Sequence, residues 1–154
     1  MHKPKKNQPK KYLTWKDLLY YINELGKKIP KDKYTIGIPR NGTIITGLLS
    51  HKRPDLYMCE RDILDPWIRA ENIHLLDPWS EAEKIHQNIE ESDTYIIDDI
   101  HDSGNTLKSF IDFGFPVATL FWRKKEKNQP NIWVETIEDD TWIVFPWEEI
   151  WDNK

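Results

Sequence analysis

The sequence is poor in cysteine and has no long apolar run. Cys59 is the one cysteine among 154 residues, so no disulfide can form within the chain and no cysteine cluster can bind zinc. No apolar run approaches the roughly 20 residues that span a bilayer, and no apolar stretch follows the basic residues near Met1 as it would in a secretory signal. We therefore expect a cytoplasmic protein without a membrane partner.

The chain has no excess of positive charge, because its 22 Lys and Arg are outnumbered by 26 Asp and Glu. The formal net charge of -4 argues against non-specific binding of nucleic acid by the whole domain. Residues 1–11 are basic and are predicted to form a flexible tail, with a nucleic-acid or partner-binding arm as the alternative. Residues 12–154 have the length of a single domain, and eight Trp, six Tyr and five Phe supply buried area for its core.

Strand and helix signals alternate along this domain. Thr14 and Asp17 resemble a capping box that begins a helix, and Gly26 and Pro30 close it. Further helices are predicted over 43–49, 80–91 and 105–113, strands over 34–38, 56–59, 95–97, 117–122, 132–134 and 142–145, and a long loop over 60–79. This order favours an α/β fold with a mainly parallel central sheet flanked by helices. Ligands bind beyond the carboxyl ends of such strands, where loops 39–42 and 98–106 lie.

Two adjacent carboxylates follow the apolar run that includes Ile96. Burying one unpaired carboxylate costs several kcal/mol, so Asp98 and Asp99 together require hydroxyl donors, a metal or open water. Neighbouring residues of a strand face opposite sides. Both carboxylates can therefore reach one ligand only if the strand has ended, and we expect it to end before them.

The residues that follow are small and polar, as at an anion site. Exposed backbone N–H groups and the dipole of the predicted helix favour an anion there, and Ser103 and Thr106 add hydroxyl donors. A ligand with vicinal hydroxyls at one end and a phosphate at the other would satisfy both halves of the segment. Ribose 5-phosphate is such a ligand.

The segment from Tyr95 to Thr106 resembles the PRPP-binding motif of type I phosphoribosyltransferases, with Asn105 as its one departure. The run Ile36-Gly-Ile-Pro-Arg-Asn-Gly42 is similar to the family's pyrophosphate loop, although Asn41, which tolerates left-handed backbone, replaces a glycine. Residues 117–124 and 140–148 resemble the bacterial xanthine-guanine and archaeal purine members. The resemblance implies a phosphoribosyltransferase-like α/β fold with a small C-terminal base-binding segment.

The same resemblance implies transfer of ribose 5-phosphate from PRPP to a 6-oxopurine in purine salvage, with Mg²⁺ as cofactor, PRPP and a purine base as ligands, and a homo-oligomer (dimer or tetramer). Asp102 would accept the proton of the base, and a loop over 61–79 would close over the site. By the same resemblance, the ribose hydroxyls would be bound by Asp98 and Asp99, and the metal by Asp99. The 5-phosphate would be bound by the loop of Asp102, Ser103, Gly104, Asn105 and Thr106. The pyrophosphate would be bound by Arg40, Asn41 and Arg69, and the base by Arg123, Lys124, Trp142 and Ile143.

Simpler interpretations stay open at each position. Asp102 could only cap a helix, Trp142 could be core filler, and Arg40, Arg123 and Lys124 could be solvated charges. His101 is expected to touch only solvent or phosphate.

The segment as a whole could be a surface loop of solvated acids, or the Asp-Asp-x-x-Asp motif of prenyl-diphosphate enzymes. The protein could also be a non-catalytic PRPP- or nucleotide-binding regulator of the same fold, or a transferase for an unusual base.

Overall fold

The computed structural model describes residues 5, 7–58, 91–102, 105–124, 129–138 and 140–148, with backbone alone for residues 91, 105 and 106. The loop predicted over 60–79 and nearly all of the helix predicted over 80–91 lie outside these residues. The strands are β1 (Lys10–Tyr12), β2 (Tyr34–Gly37), β3 (Tyr57–Met58), β4 (Thr94–His101), β5 (Val117–Arg123), β6 (Ile132–Ile137) and β7 (Trp142–Val144). The helices are α1 (Trp15–Lys28), α2 (Asn41–Lys52) and α3 (Asn105–Asp112), with a 3₁₀ turn over Glu91–Asp93.

Five strands form one parallel sheet in the order β3-β2-β4-β5-β6. The middle strand, β4, carries apolar side chains on both faces, as expected where helices cover a parallel sheet on two sides. Ile96 packs into one core cluster and Ile97 into the other, and both are fully buried. The predicted α/β architecture with a mainly parallel sheet is confirmed.

Helices cover both faces of the sheet. The capping box predicted for α1 is present: the Thr14 hydroxyl accepts from the Asp17 N–H at 3.1 Å, and the Asp17 carboxylate accepts from the Thr14 N–H at 2.9 Å. Leu18, Ile22 and Leu25 follow at helical spacing and are fully buried. α1 and α2 pack on the face that bears Ile97, and α3 packs on the opposite face. Among the described helices, none combines the length and the apolar character needed to cross a bilayer.

Strand β4 runs further than the sequence predicts. It continues through Asp98 and Asp99 to His101, so the expectation that the strand ends before the two carboxylates is wrong. The reason is the neighbouring strand, because the pairing with β5 continues through Ile100↔Phe121 and His101↔Trp122. The partner strand extends β4 beyond its local apolar run.

Strand β1 belongs to the folded domain. It pairs in parallel with β7, with Lys10 opposite Trp142 and Lys11 opposite Ile143, and the Trp142 N–H donates to the Pro9 carbonyl at 2.7 Å. The boundary predicted at residue 11 between a flexible tail and the domain is therefore wrong, since a strand 132 residues further along (Lys10↔Trp142) supplies the pairing. Residues 1–4 and 6 lie outside the description.

A polar cluster, which we call the Lys11 cluster, fastens β1 to the body of the protein. Lys11 Nζ donates to Glu135 Oε1 at 2.7 Å and lies 3.0 Å from the Tyr21 hydroxyl, which itself donates to Glu135. Burial raises the pKa of Glu135, but the hydrogen bonds from Lys11 and Tyr21 outweigh it and hold the pKa below its ordinary value. The cluster thus joins β1, α1 and β6.

Replacing Glu135 with glutamine should lower the free energy of unfolding at pH 7 by about 0.5–1 kcal/mol, the range for half-exposed ion pairs. Because the folded-state pKa lies below the unfolded value of about 4.3, the stabilisation is present above that pH and is lost as pH falls through the folded-state pKa. Urea unfolding of both proteins at pH 7 and near pH 3 measures this. Glu138→Gln is the control, because Glu138 is exposed and its carboxylate pairs with the exposed Lys124 at 3.3 Å. An equal loss in both variants would contradict the assignment.

Candidate active site

The candidate site lies at the edge of the sheet where the carboxyl ends of the parallel strands meet. β3 lies on one side of β2 and β4 on the other, so the strand order reverses between β2 and β4. Ligands of open α/β sheets bind in the crevice outside such a reversal. The segments predicted to bind PRPP, after β2 and at the end of β4, border this crevice.

Two glycines bring the start of α2 against the end of β4. A Cβ on Gly42 would lie 2.2 Å from the Ile97 carbonyl oxygen, and a Cβ on Gly37 would lie 2.4 Å from the Gly42 oxygen. The Ile38 N–H donates to that same Ile97 oxygen at 2.8 Å. No side chain fits at either glycine. The sequence predicts a loop here, but it does not reveal the close backbone approach that fixes the position of the loop. Within the loop, the peptide bond from Pro39 to Arg40 is cis.

Asp98 and Asp99 are both buried at the end of β4, with 9% and 8% of their surfaces exposed. Asp98 Oδ1 accepts from the Asp99 N–H at 2.9 Å, and Asp99 Oδ1 accepts from the Ile100 N–H at 2.9 Å. Asp99 Oδ2 accepts from Asn41 Nδ2 at 2.7 Å. The alternative of a surface loop of solvated acids is wrong, and so is the helical Asp-Asp-x-x-Asp motif, because both residues lie in a buried strand.

Burial dominates the electrostatics of this pair. It raises the pKa of Asp98 well above its ordinary value, and the neighbouring Asp99 carboxylate raises it further. Burial also raises the pKa of Asp99, against the opposing hydrogen bonds from Asp98, Asn41 and the Ile100 N–H. In the described part of the chain no cationic side chain pairs with either carboxylate. Although Asp98 and Asp99 are neighbours within a strand, their side chains lie close enough to interact directly. The pair can therefore receive hydroxyl donors or a cation together.

The donor set fits Mg²⁺ only as a sparsely ligated ion. No group of three or more His, Cys, Asp or Glu side chains suited to a metal occurs within the described residues. Mg²⁺ keeps several waters and is commonly held by one or two carboxylates together with phosphate oxygens of a ligand. Asp98 and Asp99 match that pattern.

Arg40 and Asn41 take different positions at the start of α2. Arg40 immediately precedes the helix, is exposed, and has no hydrogen-bond or ion-pair partner among the described residues. Asn41 is the first helical residue, so the left-handed backbone considered for it is wrong. Its amide instead bridges the loop to Asp99, a role that its sequence position did not indicate.

A second group of residues lies where β4, β5 and β7 meet. Arg123 Nε donates to Asp102 Oδ1 at 2.6 Å, and Arg123 Nη2 donates to the Thr141 carbonyl oxygen at 3.1 Å. Arg123 is buried, so the alternative of a solvated charge is wrong for it. The helix-cap alternative for Asp102 lacks support, because Asp102 lies three residues before Asn105, where α3 begins, and binds Arg123 instead. Lys124 is 61% exposed and, among the described residues, its ammonium group contacts Glu138.

The remaining predicted residues lie in the core, at the half-buried start of β7, or outside the described residues. Ile143 is part of the hydrophobic core, whereas Trp142 is half-buried and is not among the side chains described in that core. Because neighbouring strand residues face opposite sides, the Trp142 side chain faces away from the core that Ile143 joins. His101 is 1% exposed, so the expectation of a solvent contact is wrong. Arg69, Ser103 and Gly104 lie outside the described residues, as do the side chains of Asn105 and Thr106.

Comparisons with known proteins agree with this arrangement. No family model matches the chain. A xanthine-guanine phosphoribosyltransferase of Roseobacter denitrificans is 36% identical over 56 residues, which cover 34% of this chain and 31% of that relative. The match thus spans about a third of the relative's length.

Two solved structures cover nearly all of the chain. The purine phosphoribosyltransferase of Pyrococcus horikoshii has a TM-score of 0.61 at 22% identity and covers 90% of this chain and 94% of its own. The xanthine-guanine-hypoxanthine phosphoribosyltransferase of Helicobacter pylori has a TM-score of 0.59 at 20% identity and covers 92% and 95%. The chain has the type I phosphoribosyltransferase fold. The fold expected from the sequence resemblance is confirmed.

Two glycines of α2 provide a matched test of how this phosphoribosyltransferase fold holds its loop. Gly42→Ala should lower the free energy of unfolding by about 1–3 kcal/mol, because the new methyl group meets backbone that cannot yield. Gly47→Ala, in the same helix with no atom within 4 Å of its Cβ, should raise it by about 0.5–1 kcal/mol through helix propensity. Denaturant unfolding measures both, and a stable Gly42→Ala protein would refute the close approach.

Asp98→Asn should stabilise the ligand-free protein at pH 7. The folded-state pKa of Asp98 is raised, so the folded state binds the proton more tightly and stability falls as pH rises from about 3.9 through that pKa. Asparagine removes the charge and keeps an oxygen to accept from the Asp99 N–H. Thermal unfolding in metal-free buffer should give a higher midpoint than wild type at pH 7. Asp93→Asn is the control, because Asp93 precedes the first residue of β4 and forms an ion pair with Lys33; this variant should not raise the unfolding midpoint. A lower midpoint for Asp98→Asn would show that the carboxylate stabilises the fold.

Proposed function

We propose that the protein is a purine phosphoribosyltransferase that transfers ribose 5-phosphate from PRPP to a 6-oxopurine (guanine, xanthine or hypoxanthine) and releases pyrophosphate, as in purine salvage. The observation that carries the proposal is the buried Asp98–Asp99 pair beside the start of α2, at the reversal of strand order. The resemblance of residues 95–106 to the PRPP-binding motif points to the same ligand.

The carboxylate pair suits the vicinal hydroxyls of a ribose. Each hydroxyl donates one hydrogen bond, and a hydrogen bond to a charged acceptor contributes about 1.5–3 kcal/mol. Burial makes the charges of Asp98 and Asp99 unfavourable in the free protein, so hydroxyl donors relieve a cost that water cannot relieve there. Asn41 donates to Oδ2 of Asp99 and the Ile100 N–H donates to Oδ1, but a carboxylate has about four acceptor sites, so Asp99 can still accept from a ligand.

The start of α2 suits the pyrophosphate group. Arg40 is exposed beside the helix start, where the helix dipole also favours an anion. Mg²⁺, held by Asp99 together with ligand oxygens and water, would neutralise negative charge on the departing pyrophosphate. Arg40 and the α2 terminus would bind and orient the same group, so that charge developing on it meets preorganised positive groups.

The group of residues around Asp102 suits the base. In the transfer, the bond from C1 of the ribose to a pyrophosphate oxygen breaks as a bond from C1 to a ring nitrogen of the base forms. Asp102 accepts the proton that this base loses, and its carboxylate is half-exposed and so accessible to a ligand. Trp142 offers an aromatic face on which a purine ring can stack.

The alternative of a non-catalytic regulator has lost part of its support. It relied on a free basic tail, whereas Lys10 and Lys11 belong to β1 and Lys11 is engaged with Glu135 and Tyr21. A transferase for an unusual base stays possible, because Arg123 occupies the position where the family usually has lysine. The cytoplasmic location and the homo-oligomer remain predictions.

Pyrophosphate release tests the proposed activity. The protein is incubated with PRPP, Mg²⁺ and, separately, guanine, hypoxanthine, xanthine or adenine. We expect release with at least one 6-oxopurine, and a loss of kcat in Asp102→Asn of about 10²–10⁴-fold, the usual contribution of a positioned acid or base. Asp112→Asn is the matched control, since Asp112 pairs with Lys108 on the exposed side of α3, and it should keep full activity.

The outcomes separate the alternatives. Binding of PRPP without release for any base would refute the salvage function and favour a regulator, which should also show salt-sensitive affinity for nucleic acid. Release with adenine alone would keep the transferase and refute the 6-oxopurine assignment. Full activity in Asp102→Asn would refute the role of Asp102.

A further inference from the structure

The ion pair between Arg123 and Asp102 links three separate parts of the chain. Arg123 is the last residue of β5, and Asp102 follows the last residue of β4. The same guanidinium donates from Nε to Asp102 Oδ1 at 2.6 Å and from Nη2 to the Thr141 carbonyl at 3.1 Å. Thr141 immediately precedes Trp142, the first residue of β7. One side chain therefore ties the end of β4 to the start of β7.

The two partners differ sharply in their access to solvent. The side chain of Arg123 is 9% exposed, whereas that of Asp102 is 41% exposed. Asp102 is therefore accessible to a ligand, whereas Arg123 is almost fully shielded. A buried guanidinium is costly unless its donors are satisfied, and here a carboxylate and a carbonyl satisfy two of them. Withdrawing Nε to bind a ligand would break the ion pair with Asp102.

We propose that Arg123 is a positioning residue rather than a donor to the exocyclic oxygen of the base. It holds the Asp102 carboxylate in place and fixes it relative to the Trp142 segment, so that the proton acceptor and the stacking surface keep one spacing. This inference rests on the proposed function and departs from the base contact that the family resemblance implies for Arg123. Arginine suits the task because its planar fork reaches two acceptors at once, which a lysine ammonium on one flexible stem does not.

A double-mutant cycle in the transferase assay tests the positioning role. The proteins are wild type, Arg123→Met, Asp102→Asn and the double variant, assayed with the preferred base. If Arg123 acts through Asp102, Arg123→Met should lower kcat by about ten-fold or more, as misplaced catalytic groups do, with the KM for the base within about two-fold of wild type. The double variant should then be no slower than Asp102→Asn alone.

Direct base contact gives the opposite pattern. The two losses would then multiply in the double variant, or Arg123→Met would raise the KM for the base with kcat unchanged, and either result would overturn the proposal. Arg123→Lys keeps the positive charge but loses the planar guanidinium that reaches two acceptors, so its kcat should lie between those of Arg123→Met and wild type. A wild-type kcat in Arg123→Lys would contradict the inference that one side chain must bind both Asp102 and Thr141. Lys108→Met is the control: it removes the ion pair between Lys108 and Asp112 on the exposed side of α3 and should leave kcat and KM unchanged.

Urea unfolding of the same four proteins gives a readout that needs no activity. If the ion pair ties β4 to β7, the shifts in unfolding midpoint for Arg123→Met and Asp102→Asn should be clearly non-additive. Additive shifts would overturn the link even in a fully active enzyme. Should wild type show no transferase activity with any base, the proposed function fails, and non-additive unfolding would still support the link between Asp102 and the β7 segment.

Discussion

The backbone contact between the start of α2 and the end of β4 is the constraint on which the candidate site depends. The Ile97 carbonyl oxygen accepts from the Ile38 N–H at 2.8 Å, and the Cα of Gly42 lies so close to it that no Cβ fits. This contact sets the position of Asn41, whose amide reaches Asp99 at 2.7 Å. The geometry of the part of the site formed by Asp98, Asp99 and the start of α2 thus follows from main-chain packing. Side chains complete it.

The buried charges of Asp98 and Asp99 lower the stability of the fold at the middle strand of the sheet. Asp98 and Asp99 follow Ile96 and Ile97, which are fully buried on opposite faces of the middle strand. The apolar burial of these two residues, roughly 1.5–3 kcal/mol for each side chain, helps to offset the cost of desolvating two charges. A binding site on a central strand is also held more rigidly than one on a loop. The site therefore combines unfavourable charge burial with a precise position.

The fold could be predicted because its signals are local. The capping box at Thr14, the alternation of strands and helices, and the apolar residues Ile96 and Ile97 need no knowledge of distant partners. The acidic pair was recognisable for the same reason, since two carboxylates after an apolar run have few structural explanations. The length of β4 was not predictable, because its pairing with β5 extends it past those carboxylates.

The details of the site depend on contacts that sequence spacing does not reveal. Asn41 looked like a departure from glycine, yet its amide meets a carboxylate 58 residues away. Arg123 resembled a base contact, and only the folded chain brings it to Asp102, 21 positions earlier. His101 was expected to contact solvent and lies buried instead. In each case the sheet, through its strand order and alternation, decides which side chains meet.

The pairing of β1 with β7 has a consequence for the order in which the protein is made. A ribosome releases Lys10 early, but the strand that receives it begins at Trp142. The sheet from β2 to β5 can form on the nascent chain while β1 still lacks its neighbour. The segment that carries Trp142 is synthesised after β2 to β5, so its pairing with β1 can form only once those strands have emerged.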